Sequence, residues 1–316
     1  MFISNILMKA FVYKSTGSWY IVKSEAGRVF NARIKGIFKI DDINSTNPIA
    51  VGDEVEIEIE NELESTATIT AIFPRHNYVA RASPRHKNQL HIIASNLDQS
   101  LLFATLKDPK TSTGFIDRFL LACEMQHIPA ILVFNKSDLY RKKELDKCEE
   151  IKEVYQRIGY KVLLASIIQN QGLFEIKEQL HNKKTLIGGH SGVGKSTFIN
   201  AIFPELNLKT QDVSGWSGKG LHTTTFAEMH ELPFGGQVID TPGIRELGLA
   251  DIAKQEVSGY FPEMKLLIND CQYNNCMHLN EQDCAIKDAV NKGTISIDRY
   301  LSYLNIVDSL KENTWS

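Results

Sequence analysis

The chain has 316 residues, 43% of them hydrophobic and 23% charged, with a formal net charge of −3 at pH 7. This is the composition of ordinary globular protein with room for about two domains of usual size. It excludes a disordered chain and wholesale binding of polyanions, so any nucleic-acid contact must come from local patches. The apolar opening stretch, residues 1–7, lacks a basic leader and a cleavage site, and no run approaches the roughly 18 apolar residues of a membrane span. The five cysteines cannot pair evenly. The expectation is a cytoplasmic chain without membrane contact, whose clustered cysteines hold a metal rather than disulfides.

The first elements read as strands. Runs 12–22, 28–38 and 53–60 are short and β-rich, separated by Gly and Asp turns, and the strict alternation over 54–60 gives one apolar and one acidic face. A closed barrel of about five strands, an OB-fold, fits residues 1–85. No acidic residue lies between Glu64 and Asp98, a stretch holding Arg75, Arg81, Arg85 and Lys87. It reads either as a solvated linker leaving the barrel or as a strip that contacts RNA phosphates.

From about 86 to 250 strands and helices alternate, the pattern of a doubly wound α/β domain. Strands are expected over 91–94 and 99–105, a helix over 116–124, and a strand over 129–134 that ends on Asn135-Lys136-Ser137-Asp138. Helix 142–158, strand 161–165 and helix 173–180 follow. Strand 185–187 feeds Gly189-His190-Ser191-Gly192-Val193-Gly194-Lys195-Ser196, and helix 196–202 opens from it. Strand 236–239 ends on Asp240-Thr241-Pro242-Gly243.

These three motifs are the parts of a GTP site. The middle one satisfies G-x-x-x-x-G-K-[ST], the loop whose N–H groups cradle phosphates at a helix N-terminus. Lys195 is placed to bridge the β- and γ-phosphates, with Ser196 on Mg²⁺ and Thr197 continuing the first turn. Asp138 suits the N1–H and exocyclic amine of guanine, a donor pair adenine lacks. Lys136 lies along the base, Asn135 ties this loop to the phosphate loop, and Ser137 completes the motif. Ser166, at the next strand end, sits where a backbone N–H would meet guanine O6. Asp240 is expected to hold Mg²⁺ through water and Gly243 to offer its N–H to the γ-phosphate. The next residue, Ile244, stands where a water-orienting Gln is usual, and an isoleucine cannot orient water. In His222-Thr223-Thr224-Thr225 one threonine, Thr224, would complete the Mg²⁺ shell, and His222 is the candidate to position the attacking water.

Residues 251–316 carry Cys271, Cys276, His278 and Cys284, spaced C-x₄-C-x-H-x₅-C, with helices expected over 284–291 and 296–310. Three thiolates and an imidazole suit one tetrahedral, structural Zn²⁺. It would supply folding energy that so short a region lacks. Cys123 and Cys148 fall in helical stretches and read as buried thiols.

The motif order is itself informative: the guanine reader precedes the phosphate loop, the reverse of ordinary GTPases. The domain is therefore expected to be a circularly permuted P-loop GTPase, with an N-terminal barrel and a C-terminal zinc-binding helical domain. With Ile72-Phe73-Pro74-Arg75, Asn96-Leu97-Asp98-Gln99, Ile244-Arg245-Glu246-Leu247 and Arg299-Tyr300 added, the chain resembles the RsgA/YjeQ family over nearly its whole length. That resemblance implies a monomeric GTPase that binds the small (30S) ribosomal subunit and its rRNA. It would act late in subunit maturation, with subunit-stimulated hydrolysis driving release. Leu221 departs from the family pattern, which usually has a basic residue there. Two other readings compete: an RNA-binding or chaperone protein in which nucleotide only sets affinity, and a permuted GTPase serving another ribosomal target.

Overall fold

A computed structural model of the chain describes residues 7–34, 47–82, 90–206, 208, 227–241, 249 and 252–310. Among the described residues, eleven strands form one continuous sheet. Its first half is a barrel of β1 (Leu7–Ser15), β2 (Tyr20–Ser24), β3 (Val29–Ile34), β4 (Glu54–Asn61) and β5 (Thr66–Ile72). The order β1-β2-β3-β5-β4 closes through a β1–β4 pairing, which covers the edge of β1 from Leu7 to Phe11. In β4 the valine and isoleucines turn inward while Glu54, Glu56 and Glu58 are half-exposed, as the alternation predicts. Tyr20, Phe30, Val55, Ile57 and Ile69 fill the interior.

The barrel is followed by a hairpin, β6 (Tyr78–Ala82) and β7 (Leu90–Ser95), paired antiparallel and separate from the large sheet. The expectation that 91–94 belongs to the α/β sheet is therefore corrected: its partner is the hairpin strand, which the sequence hid in the basic strip. Arg75 is corrected as well. It forks onto the buried carboxylate of Asp53 at 2.6 and 2.5 Å, with side-chain exposures of 5% and 0%. It locks the barrel internally and offers nothing to an RNA phosphate. Arg81 is exposed, and Arg85 and Lys87 lie outside the described residues.

The second half of the sheet has the order β10 (Lys161–Leu164), β9 (Ala130–Phe134), β8 (Gln99–Ala104), β11 (Lys184–Gly188), β13 (Gln237–Asp240) and β12 (Glu228–Glu231). These neighbours run parallel except for the antiparallel pair β12–β13. β8 is buried at every position, as a central parallel strand covered on both faces must be. Helices α1 (Thr113–Met125), α2 (Lys142–Arg157), α3 (Leu173–Leu180) and α4 (Lys195–Ile202) provide the cover. α1 starts where Ser112 Oγ accepts from the Phe115 N–H at 3.2 Å, an ordinary N-cap.

β12 joins the two halves. It meets β1 at Lys14↔Glu228, beside the ion pairs Lys14–Glu228 and Lys23–Glu231, both at 2.6 Å. Tyr13 Oη donates to Glu231 at 2.6 Å. The C-terminal unit holds α5 (Pro262–Lys265), α6 (Ala285–Asn291) and α7 (Ile297–Ser309). Its small core of Val257, Phe261, Met264, Ile286 and Tyr303 reaches α1 through Leu121. No helix among the described residues is long and apolar enough to cross a membrane.

Candidate functional site

The motifs gather at the carboxyl ends of the parallel strands, where an open α/β sheet leaves its binding crevice. β11 ends at Gly188 and the glycine loop turns into α4 at Lys195. Two of its glycines are sterically obligatory. A Cβ on Gly189 would stand 2.4 Å from the Phe103 carbonyl, one on Gly194 would stand 2.3 Å from Asn135 Nδ2, and both residues have positive φ. Ser191 and Gly192 are exposed, Ser196 and Thr197 half-buried and Val193 buried. Lys195 folds back on its own loop, donating to the Gly189 and His190 carbonyls at 2.7 and 2.8 Å. Burial lowers its pKa to about 8, against a partly compensating pull from Asp240. Asp240, at the end of β13, is 4% exposed. Burial pushes its carboxyl up, with Lys195 opposing.

The guanine-type loop docks directly on the phosphate-type loop. Asn135 Nδ2 donates to the Val193 carbonyl at 2.9 Å, and its Oδ1 accepts from Ile167 N at 3.2 Å. Two loops that follow one another in reverse order along the chain are thus bridged by one amide. Ser166 Oγ donates to Asp138 Oδ1 at 2.5 Å, while its N–H is engaged by the Gln171 carbonyl at 3.0 Å. The residue therefore reaches the guanine-type loop through its hydroxyl. Ser137 Oγ lies 3.3 Å from Gln171 Oε1. Lys136, left-handed at φ 63°, donates to the Asp108 carbonyl at 2.6 Å. The loop after β8, carrying Asp108 and Pro109, has no motif that marks it in the sequence. Tyr140 carries no such signal either: its hydroxyl donates to the Asn135 carbonyl at 2.7 Å and accepts from Leu106 N at 2.9 Å. His222, Thr223, Thr224, Gly243 and Ile244 lie outside the described residues.

The second constellation is in the C-terminal unit. The ligand atoms of Cys271, Cys276, His278 and Cys284 lie within 4.8 Å of one another. Cys271 Sγ and Cys284 Sγ are 4.0 Å apart, and His278 Nδ1 is 3.6 and 3.4 Å from them. A tetrahedral ion with S at ~2.3 Å and N at ~2.0–2.1 Å needs S···S edges of about 3.8 Å and N···S edges of about 3.6 Å. The donor set and its spacing fit a metal ion. Burial pushes the Cys276 thiol up to about 12 and raises Cys284 also; a bound cation reverses that balance. Tyr300 and Tyr303 steady the knuckle, their hydroxyls donating to the His278 and Met277 carbonyls at 2.6 and 2.7 Å. Cys123 and Cys148 are buried and distant from this cluster in sequence.

Comparison with known proteins agrees with this geometry. Residues 72–250 match the model of the RsgA GTPase family, and residues 10–67 match the RsgA N-terminal domain. The chain belongs to the RsgA GTPase family. It is a GTP-hydrolysing enzyme with a circularly permuted domain and an N-terminal five-stranded barrel. A small ribosomal subunit biogenesis GTPase of Flavobacterium psychrophilum is 51% identical over 95% of this chain and 93% of its own. A protein of the same name from Flavobacterium johnsoniae is 48% identical over 97% and 94%. Among solved structures, YjeQ from Thermotoga maritima superposes with a TM-score of 0.76 at 31% identity, covering 96% of this chain and 98% of its own. YloQ, described as a circularly permuted GTPase, gives 0.72 at 29%, covering 98% and 96%.

Proposed function

We propose that this chain is a GTPase of small ribosomal subunit biogenesis that binds the 30S subunit and its rRNA late in maturation. Hydrolysis is stimulated by the subunit and coupled to release. The observation that best supports the site assignment is the Asn135 bridge, a hydrogen bond from the 135–138 loop to the 189–196 loop although their order along the chain is inverted. Asp138 reads guanine, with Lys136 against the base and Ser166 holding the Asp138 carboxylate. The loop from Gly189 to Thr197 wraps the phosphates. The buried, under-compensated carboxylate of Asp240 and the Ser196 hydroxyl suit Mg²⁺, which when bound offsets charge on the phosphates. Thr224 would join them, Thr223 and Gly243 would meet the nucleotide, and His222 would position the water. Cys271, Cys276, His278 and Cys284 hold one structural Zn²⁺. The protein works as a cytoplasmic monomer, with residues 1–85 as barrel, 86–250 as GTPase domain and 251–316 as zinc-binding helical domain.

The test is GTP turnover with and without purified small subunits. Slow intrinsic hydrolysis accelerated on the order of 10³-fold or more supports the reading, the scale of supplying one missing catalytic group. A rate indifferent to the subunit returns the chain to an RNA-binding protein whose nucleotide only sets affinity. Stimulation by another ribosomal particle alone would move the target.

A further inference from the structure

Helix α1 has two occupied faces. Phe115 and Phe119, one turn apart, face the phosphate-type loop. The Phe115 ring lies 3.7 Å, centroid to centroid, from that of His190. Phe119 is so close to Gly188 that a Cβ there would meet its ring at 2.5 Å. Asp117 and Leu121, again one turn apart, face the C-terminal unit. Leu121 enters the core around Phe261 and Tyr303. Asp117 Oδ1 accepts from Arg299 Nη1 and from Tyr155 Oη, both at 2.6 Å.

Arg299 is held on every side. It is 3% exposed, forks onto Glu263 at 2.7 and 3.0 Å and lies 4.5 Å over the Phe261 ring. A planar guanidinium shared by two buried carboxylates has one satisfactory geometry. α7 therefore cannot slide along α1 without leaving a buried charge unpaired. The next residue on α7, Tyr300, carries the hydroxyl that holds the His278 carbonyl. Contacts thus lead from the Cys/His cluster through the Tyr300 hydroxyl to α7 and from Arg299 on α7 to Asp117 on α1, and the rigid helix α1 carries Phe115 on its other face against His190 of the phosphate-type loop.

We propose that Arg299 and Asp117 are positioning residues for the nucleotide loop, with α1 as the strut by which the metal-bearing unit sets that loop's conformation. This rests on reading residues 189–196 as the nucleotide loop. Both ligands order the same strut, so the coupling is positive. Coupling between sites is reciprocal, so GDP binding must strengthen metal retention by the factor with which the metal strengthens GDP binding.

The experiment follows Zn²⁺ transfer from the loaded full-length protein to a chromophoric chelator, with and without saturating GDP. In the unsubstituted protein GDP is expected to strengthen retention about fivefold or more, the lower range of typical coupling. In Phe115→Leu the GDP effect should fall below about twofold, while Zn²⁺ affinity without nucleotide stays unchanged. A merely structural contact would not produce that split. Arg299→Ala would strand two carboxylates and unfold the unit, so Asp117→Asn with Arg299→Lys serves as the second variant and should also lose the GDP effect. Retention indifferent to GDP in the unsubstituted protein overturns the proposal. So does a GDP effect that survives in both variants, for the coupling then runs elsewhere. Failure of GDP to bind at all would overturn the nucleotide reading, and the strut with it.

Discussion

Lys195 shows how one residue carries both the stability and the pH response of the site. Its ammonium is buried and serves two carbonyls of its own loop, and burial brings its pKa to about 8. Between that value and the ordinary one near 10.5 the unfolded chain holds a proton that the folded one has lost, so stability of the nucleotide-free protein rises with pH across this window. A bound phosphate reverses the balance by favouring the charged lysine. GDP binding above pH 8 should therefore take up close to one proton, and affinity should fall up to tenfold per pH unit. Calorimetry in buffers of different ionisation heat checks this, and no uptake at pH 9 would refute it. Asp138→Asn should exchange guanine for xanthine preference, because the amide donates where the carboxylate accepts; unchanged GTP and ATP affinities would rule out Asp138 as the reader. Arg75 makes the opposite kind of prediction. Its pair with Asp53 is sealed from water, so Arg75→Met should cost about 3–5 kcal/mol in denaturant unfolding by leaving Asp53 buried and uncompensated. A loss under 1 kcal/mol would mean the pair is not the lock described.

At the scale of elements, the clearest case is the knuckle between residues 271 and 284. Its core is small, and the proposed metal ion would supply much of what holds α6 and α7 together. Cys276→Ser should lower bound zinc from one per chain to well below that, and proteolysis should cut first in this unit. Full metal occupancy in the variant would remove Cys276 from the ligand set. These elements were legible because each motif binds a chemical pattern to a local backbone: glycines at 189 and 194 for loop geometry, four ligands within one short stretch, apolar runs for β8 and β9. What stayed hidden was long-range. Arg75 looks free until Asp53, 22 residues upstream, is folded against it. β12 is four residues long, too short for its alternation to register. The partner of Asp117 lies 182 residues away. No periodicity reports such pairs.

The permuted order has its consequences at the scale of the whole molecule. β13 and Asp240 are followed by the segment that leads into the C-terminal unit, so the end of the sheet proposed to meet phosphate is also the one nearest the Cys/His cluster in sequence. Neutralising Arg81, Arg85 and Lys87 together is expected to weaken subunit binding and to reduce its salt slope by roughly one unit per lost phosphate contact. An unchanged slope would make the hairpin a plain spacer. His222→Ala should abolish most of the stimulated rate and spare GTP affinity, leaving a protein that binds the subunit with GTP and stays there; full stimulated turnover would give the water to another group. The seam where β1 meets β12 matters before any of this, during synthesis. Lys14 and Glu228 are 214 residues apart, so at the ~5–20 residues per second of translation the barrel waits roughly 10–40 s for the strand that covers its open end. Lys14, on the stretch of β1 beyond its pairing with β4 and later paired with β12, is a charge of the kind that discourages a stray strand from joining a nascent edge. A charge that helps weld the finished halves together would thus serve first as a guard on the emerging chain.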